Sequence, residues 1–301
     1  MPVENITYQD NPFDPDNHAA YKAWRTHKLE GYPQRAEELI VEVNDPRNLS
    51  DTEREAILVR CAKTNMAIYR SNTGTNPDKL IPATLGAQLG LRYLDRNMGA
   101  DDDGITALQV VDKQWRSRYI PYTNHPIHWH TDGYYNGLDQ QIHALLLHCV
   151  QPAAEGGENA LFDHEMAYIR LRDMNPDYIR ALMVPDAMTI PANIDNGSVL
   201  RPARSGPVFS IHSNGYLHMR YTARAHNIEW KNDAATQAAT SALQTLLTSV
   251  DPFIYRLTLQ PGWGLVSNNV LHDRSGFNDD PDHPRLLYRL RYFERVTAGH
   301  D

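Results

Sequence analysis

His125-Pro-Ile-His128-Trp-His130-Thr-Asp132 is the densest run of coordinating side chains in the sequence. His130 and Asp132 stand two positions apart. On a β-strand that spacing puts an imidazole and a carboxylate on one face, where both can converge on a single ion. His128 shares that face if the strand reaches back through it. By itself the pattern has little weight. A chain with 14 histidines offers roughly one His-x-Asp by chance. A polar turn before Gly133, with its histidines satisfied by hydrogen bonds, explains the run as well.

A second cluster lies far downstream, in Gly262-Trp-Gly-Leu-Val-Ser-Asn-Asn-Val-Leu-His272-Asp-Arg274-Ser-Gly-Phe277. It reads as a strand-like run ending in His272. Arg285 follows thirteen residues later and Arg289 four after that, within Pro284-Arg-Leu-Leu-Tyr-Arg-Leu-Arg-Tyr-Phe293. His-x-Asp, a long gap, His and then Arg is the layout of a two-histidine, one-carboxylate triad with open metal positions. That arrangement is typical of non-haem iron(II) oxygenases. A buried arginine can then offer two parallel donors to the distal carboxylate of a co-substrate. On a strand, Arg285, Arg289 and Arg291 share a face with Leu287, against Leu286, Tyr288 and Leu290. A solvent-facing edge strand is the bland reading; the placement after His272 argues for inward arginines.

With these pieces in hand, the sequence resembles the taurine dioxygenase family of 2-oxoglutarate-dependent oxygenases. The matched runs are Trp129–Asp132, Pro152-Ala-Ala-Glu-Gly-Gly-Glu-Asn-Ala-Leu-Phe162, Asn268-Asn-Val-Leu-His272-Asp-Arg274 and Arg285-Leu-Leu-Tyr-Arg289. They span over half the chain, and the first hundred residues carry no matching motif. The resemblance implies His130, Asp132 and His272 as ligands of Fe(II), and Arg285 as the anchor for the C5 carboxylate of 2-oxoglutarate. A Thr or Ser of the family also touches that carboxylate; Asn159 stands at its position here, and its amide is the substitute donor. Arg289 matches a second arginine that in some members reaches the substrate. The implied reaction is hydroxylation of an unactivated C–H bond of a small metabolite, with O2 consumed and succinate and CO2 released. In related halogenases a small residue replaces the carboxylate ligand, so Asp132 favours hydroxylation, cleavage or desaturation.

Other residues carry a functional reading beside a bland one. Tyr134, Tyr135 and Asn136 follow the first two ligands, where a loop of this family lies near the substrate; aromatic packing in a turn explains them equally. Arg220, Tyr221 and Arg224 form a polar patch suited to an anionic substrate, or a solvated loop. With Arg289, Arg224 hints at an anionic group. His143 and His148 fall on opposite faces of one strand, and His164-Glu165 starts a helix. His128 is read as a residue that supports a ligand or lines the pocket. Two rival functions remain. A zinc hydrolase with the same ligands needs no arginine after His272 and finds no clear general base. A binding protein without catalysis leaves the order of the four runs unexplained.

The rest of the chain sets the frame. Its 301 residues and net charge of −8 suit a folded protein with a sizeable core. No Lys/Arg-rich stretch suggests nucleic acid as a partner. Cys61 and Cys149 form no disulfide or metal pattern. The polar start, Met1 to Asp16, gives no expectation of a signal peptide, and no apolar stretch is long enough for a membrane. A cytoplasmic location follows by default, and oligomeric state, including a homo-oligomer, stays open. The expected organisation is one oxygenase domain over 1–301, with a mostly helical part over 1–104. Helices are expected at Asn17–Leu29, Ser50–Cys61 and Leu80–Leu91, the second with a capping box from Ser50 to Glu53. From 105 on, short runs between turns predict strands, with helices at Glu165–Arg172, Pro176–Met183 and Ala234–Thr248. The fold class is mainly β with α elements: a double-stranded β-helix, or jelly-roll, with flanking helices.

Overall fold

The computed structural model describes residues 11–96, 100–111, 115–195, 197–224 and 228–297. They divide into two compact units. The first holds the described residues of 33–132, 140–163 and 252–301; the second holds those of 1–32, 133–139 and 164–251.

The first unit is built on two sheets. In the larger, the strands run in the order Ile40–Glu42, Met66–Arg70, Trp263–Ser267, Ala144–Gln151, Leu286–Tyr292 and Thr106–Leu108. Only the first pair is parallel. Ala144–Gln151 lies inside the sheet, and every residue but the last is buried. A strand covered on both faces reads as a near-continuous apolar run, and Ala-Leu-Leu-Leu-His-Cys-Val is one, broken only by His148. One face packs Ala144, Leu146 and Val150 with Tyr288, Leu290 and Tyr292 against Ile57, Leu58 and Cys61 of the helix Asp51–Thr64 and Leu85 of the helix Leu80–Gln88. Each large apolar side chain so covered contributes roughly 1.5–3 kcal/mol. The expected capping box forms: the Ser50 hydroxyl accepts from the Glu53 amide at 3.3 Å, and the Glu53 carboxylate accepts from the Ser50 amide at 2.7 Å.

The smaller sheet runs Ile254–Leu257, Asn159–Phe162, Leu271–Arg274, Ile127–His130, all antiparallel. Two mostly antiparallel sheets make the jelly-roll core that the strand pattern predicted. Two details differ from the sequence reading. The single run expected up to His272 is two strands in different sheets, Trp263–Ser267 and Leu271–Arg274. The break is Asn269, whose φ of +53° turns the chain; asparagine tolerates that region better than most residues. The part expected to be mostly helical also supplies two strands of the larger sheet, Ile40–Glu42 and Met66–Arg70, the second where the short apolar run Met66–Tyr69 reads as a strand. The first of these was missed because three residues carry no period.

The second unit carries the helices His18–Leu29, His164–Met174, Pro176–Met183 and Ala234–Thr248. Its core includes an aromatic cluster in which Tyr168 meets Phe13, Tyr21, Trp24 and Phe209 with ring centroids 5.5–6.5 Å apart. A three-stranded sheet orders Arg204–Gly206, Met188–Ile190 and Glu229–Trp230. The hairpin Asn193–Asp195 with Ser198–Arg201, absent from the expected strands, leads into it. Cys61 and Cys149 are buried free thiols. Among the described residues no helix is long and apolar enough to cross a membrane.

Candidate metal centre and co-substrate pocket

Strand pairing assembles the candidate metal centre. Leu271–Arg274 lies antiparallel to Ile127–His130 with His272 directly opposite His130. Their rings sit 4.2 Å apart, centroid to centroid. Asp132 follows His130 just past the strand end. One ligand atom from each of His130, Asp132 and His272 lies within 4.8 Å of the others. Each imidazole gives its Nδ1–H to the backbone carbonyl two residues back, His130 to His128 and His272 to Val270, both at 2.9 Å. A carbonyl can only accept, so the proton is on Nδ1 and Nε2 is left bare for a metal. His128 is exposed and contributes its carbonyl, not its ring: it supports the His130 side chain, one of the two roles read for it, and its own side chain lines no pocket there.

Asp132 is 5% exposed and held from three sides. Its backbone amide donates to Asn269 Oδ1 at 2.8 Å, and Asn269 Nδ2 donates to Asp132 O at 2.9 Å and to Ile142 O at 2.7 Å. Arg289 Nη1 stands 3.3 Å from its Oδ1. Its Oδ2 is buried and has no partner among the described residues. Burial works to raise the Asp132 pKa, but Arg289, Arg291 and the two histidines outweigh it and hold the carboxyl well below its usual range. Burial, helped by the nearby His272, pushes His130 down to about 3. A neutral imidazole and an ionised carboxylate are the protonation states that bind a metal. A buried carboxylate with one unpartnered oxygen, grouped with two imidazoles whose Nε2 atoms are bare, fits iron(II), whose coordination shell then keeps positions for other ligands.

Arg285 is 4% exposed. Its guanidinium stacks on Phe277, 5.0 Å from the ring centroid, while Arg274 lies 4.8 Å from the same ring. Burial pushes Arg285 down to about 10 and Arg274 to about 9, the latter helped by its Arg285 neighbour. Arg274 spends donors on Thr123 O and His125 O. Among the described residues the Arg285 side chain donates to nothing. Arg285 and Asn159 line one cavity, with Gly157 and Thr258. Asn159 Nδ2 spends one hydrogen on Asp273 O at 3.0 Å, which leaves the other. The glycine pair before it is required, Gly156 by space and Gly157 by its φ of +71°. A Cβ on Gly156, at φ +76°, stands 2.3 Å from Gly276 O, and one on Gly157 stands 3.6 Å from Arg285 Nε.

The remaining residues lie in the second unit. Tyr134–Asn136 sit in a turn in which the Asn136 amide donates to Gly133 O at 2.8 Å. Arg224 Nη1 lies 3.5 Å from the Tyr134 hydroxyl. Arg220 and Tyr221 are each 4% exposed, not solvated charges. Sequence reasoning missed the clamp of Asn269, which a left-handed position gives no sequence signal for. It also assigned no role to Arg274, although it stands in a quoted run, and it overlooked Arg201 and Arg204.

Fold and site together define a non-haem iron oxygenase on a jelly-roll core. The chain belongs to the taurine catabolism dioxygenase TauD, TfdA family, whose model matches residues 14–291. Its His130, Asp132 and His272 group could hold a metal ion for the dioxygenase chemistry that names this family. Uridine-5'-phosphate dioxygenase of an Amycolatopsis species is 35% identical over 176 residues, 57% of this chain and 62% of that protein. The chain thus spans under two thirds of that relative. The enzyme of the same name from a Streptomyces species is 32% identical over 208 residues, 66% of this chain and 71% of that protein. Among solved structures, an asparagine oxygenase in complex with Fe(II), 3-hydroxyasparagine and succinate superposes with a TM-score of 0.54 at 14% identity. It covers 88% of this chain and 91% of its own, a likeness of fold.

Proposed function

We propose that this dioxygenase oxidises a C–H bond of a nucleoside 5'-phosphate of the uridine type, releasing succinate and CO2. The observation that carries the substrate is the identity of 35% and 32% to two uridine-5'-phosphate dioxygenases. His130, Asp132 and His272 hold the iron, which supplies the redox chemistry with O2 when bound. Asn269 fixes the backbone at Asp132, and Arg289 keeps the carboxylate ionised and aimed. Arg289 therefore positions a metal ligand in addition to any contact with co-substrate or substrate.

Arg285 takes the distal carboxylate of 2-oxoglutarate. Its support is a buried cation stacked on Phe277 with unspent donors, for which an arriving carboxylate is the matching charge. Asn159 adds its second amide hydrogen. Tyr134, Tyr135, Asn136 and Arg224 serve the substrate. Burial of the triad keeps bulk water from the reacting groups and strengthens each charge interaction there.

The test supplies iron(II), 2-oxoglutarate and O2 with uridine-5'-phosphate, uridine or no nucleotide. One succinate for each nucleotide consumed, far above the nucleotide-free rate, is expected. Succinate formation indifferent to the nucleotide defeats the substrate assignment and leaves the family assignment standing.

A further inference from the structure

The second unit gathers four arginines that form an ion pair with no acid among the described residues. Arg220 is 4% exposed. It donates Nε to Tyr134 O at 2.7 Å, Nη1 to Met188 O at 3.1 Å and Nη2 to Arg204 O at 2.7 Å. All its partners are backbone carbonyls, so it ties the Tyr134 turn to two strands and keeps its full charge. Arg201 ends the hairpin strand Ser198–Arg201. Its Nη1 and Nη2 go to Pro202 O at 3.0 Å and Pro191 O at 2.6 Å. Pro202-Ala203 then carries the chain to Arg204, which opens the next strand. The Arg204 guanidinium is exposed and, among the described residues, donates to nothing. Arg224 stands at the Tyr134 hydroxyl.

Among the described residues no carboxylate pairs with any of the four. Asp139 lays its carboxylate at Gly137, close to where the Arg204 guanidinium also comes, without forming an ion pair. The positive charges feel each other. Burial lowers the pKa of Arg201; Tyr134 opposes this and Arg204 adds to it. Burial and then the charge of Arg201 push Arg220 down to about 10. Like charges held together without a counter-charge are costly. A fold that keeps them, with tyrosine hydroxyls beside them, is arranged for an anion from outside. A phosphomonoester carries close to two charges and three acceptor oxygens. It suits several guanidinium forks and phenol donors at once, where a carboxylate fills one fork.

We propose that Arg201 and Arg204, with the hydroxyls of Tyr134 and Tyr135, form a subsite for a phosphomonoester dianion. The identity of the anion as the 5'-phosphate of a nucleotide rests on the functional reading above. Arg220 positions this subsite by holding the Tyr134 and Arg204 carbonyls and takes no part in binding. Arg204 is the principal contact, because its donors are uncommitted.

The test is calorimetric titration of the anaerobic enzyme, loaded with iron(II) and 2-oxoglutarate, with uridine-5'-phosphate, uridine and inorganic phosphate. The nucleotide should bind on the order of 100-fold more tightly than uridine. Arg204→Ala and Arg201→Ala should each remove about tenfold or more of that advantage and leave uridine affinity as it was, with Arg204→Lys between. Both side chains reach solvent, so thermal melts should stay close to wild type and exclude misfolding. Equal affinity for nucleotide and uridine overturns the subsite. So does a phosphate preference that survives the Arg201→Ala/Arg204→Ala double variant, even with nucleotide turnover intact. If no nucleotide binds but inorganic phosphate binds wild type and not the double variant, the subsite stands and the nucleotide assignment falls. If neither nucleotide nor phosphate binds, the subsite falls.

Discussion

The four-stranded sheet of the first unit and the arginine cluster of the second both hold reactive groups in place, by different means. In the sheet, register does the work. His272 is opposite His130 because two strands pair, and each ring is locked by a carbonyl two residues back on its own chain. In the cluster, arginines from a hairpin end, a strand start and a loop meet through side-chain bonds to backbone carbonyls. A site built on register is fixed on every side, so losing one member disables the whole. A site built on converging loops should lose its function in steps. The graded losses expected for Arg201 and Arg204 set one side of this contrast; the sheet sets the other.

Asp132→Ala should have the largest effect. It removes a proposed metal ligand and leaves the half-buried Arg289 without its carboxylate. Iron affinity should fall by more than the roughly 10–100-fold that loss of an outer partner costs, and nucleotide-dependent succinate formation should vanish. Iron titration followed by the anaerobic visible spectrum with 2-oxoglutarate measures this. A variant that still binds iron and shows the chelate band would mean that two histidines suffice. Arg285→Gln comes next. Truncating one partner of a buried charge pair costs about 2–5 kcal/mol, so the KM for 2-oxoglutarate should rise from about 30-fold to over a thousandfold, with iron binding intact. An unchanged KM would move the anchor to another arginine.

The same contrast explains what the sequence disclosed. His130 and Asp132 are two apart on a strand end and His272 closes a motif, so spacing, order and the family resemblance picked out three residues that the structure groups together. The capping box at Ser50 and the helices Pro176–Met183 and Ala234–Thr248 were legible for the same reason: the signal is local. Arg201 and Arg204 come together with Tyr134 only through pairing of strands three or four residues long, and no period marks such strands. Asn269 was hidden differently. Its role depends on a left-handed φ, and Asn-Asn before Val270 reads equally well as part of an extended run.

Asn269→Gly sharpens the contrast from the sheet side. Glycine adopts φ +53° without strain, so the turn survives and only the side-chain clamp on Asp132 and Ile142 is lost. Iron affinity should drop roughly 10–100-fold, as for other outer partners of a ligand, while the Arg204→Ala protein binds iron as wild type does. Equal iron affinity in wild type and Asn269→Gly would show that Arg289 and the strand end hold Asp132 without help.

An effect on acid stability alone, with none on activity at neutral pH, concerns His148, a histidine in the same unit with no metal to serve. It is fully buried in the strand Ala144–Gln151, with Nδ1 2.8 Å from the Tyr69 hydroxyl and Nε2 facing no partner among the described residues. A protonated ring would bury a second N–H with nothing to accept it. Burial accordingly pushes its pKa from 6.5 down to about 4. Below pH 6.5 the unfolded chain takes up a proton that the folded chain refuses until about pH 4. Stability from this group is therefore complete above 6.5 and lost as pH falls through that window, by about 3 kcal/mol in all. His148→Gln keeps a side chain able to bond Tyr69 and removes the titration. In urea melts at a series of pH values, the difference in slope between the two proteins should approach one proton between pH 6 and 4.5 and vanish above pH 7. Parallel curves would assign the acid sensitivity of this fold to its carboxylates and the metal histidines instead, leaving His148 a packing residue whose ring stays neutral in both states.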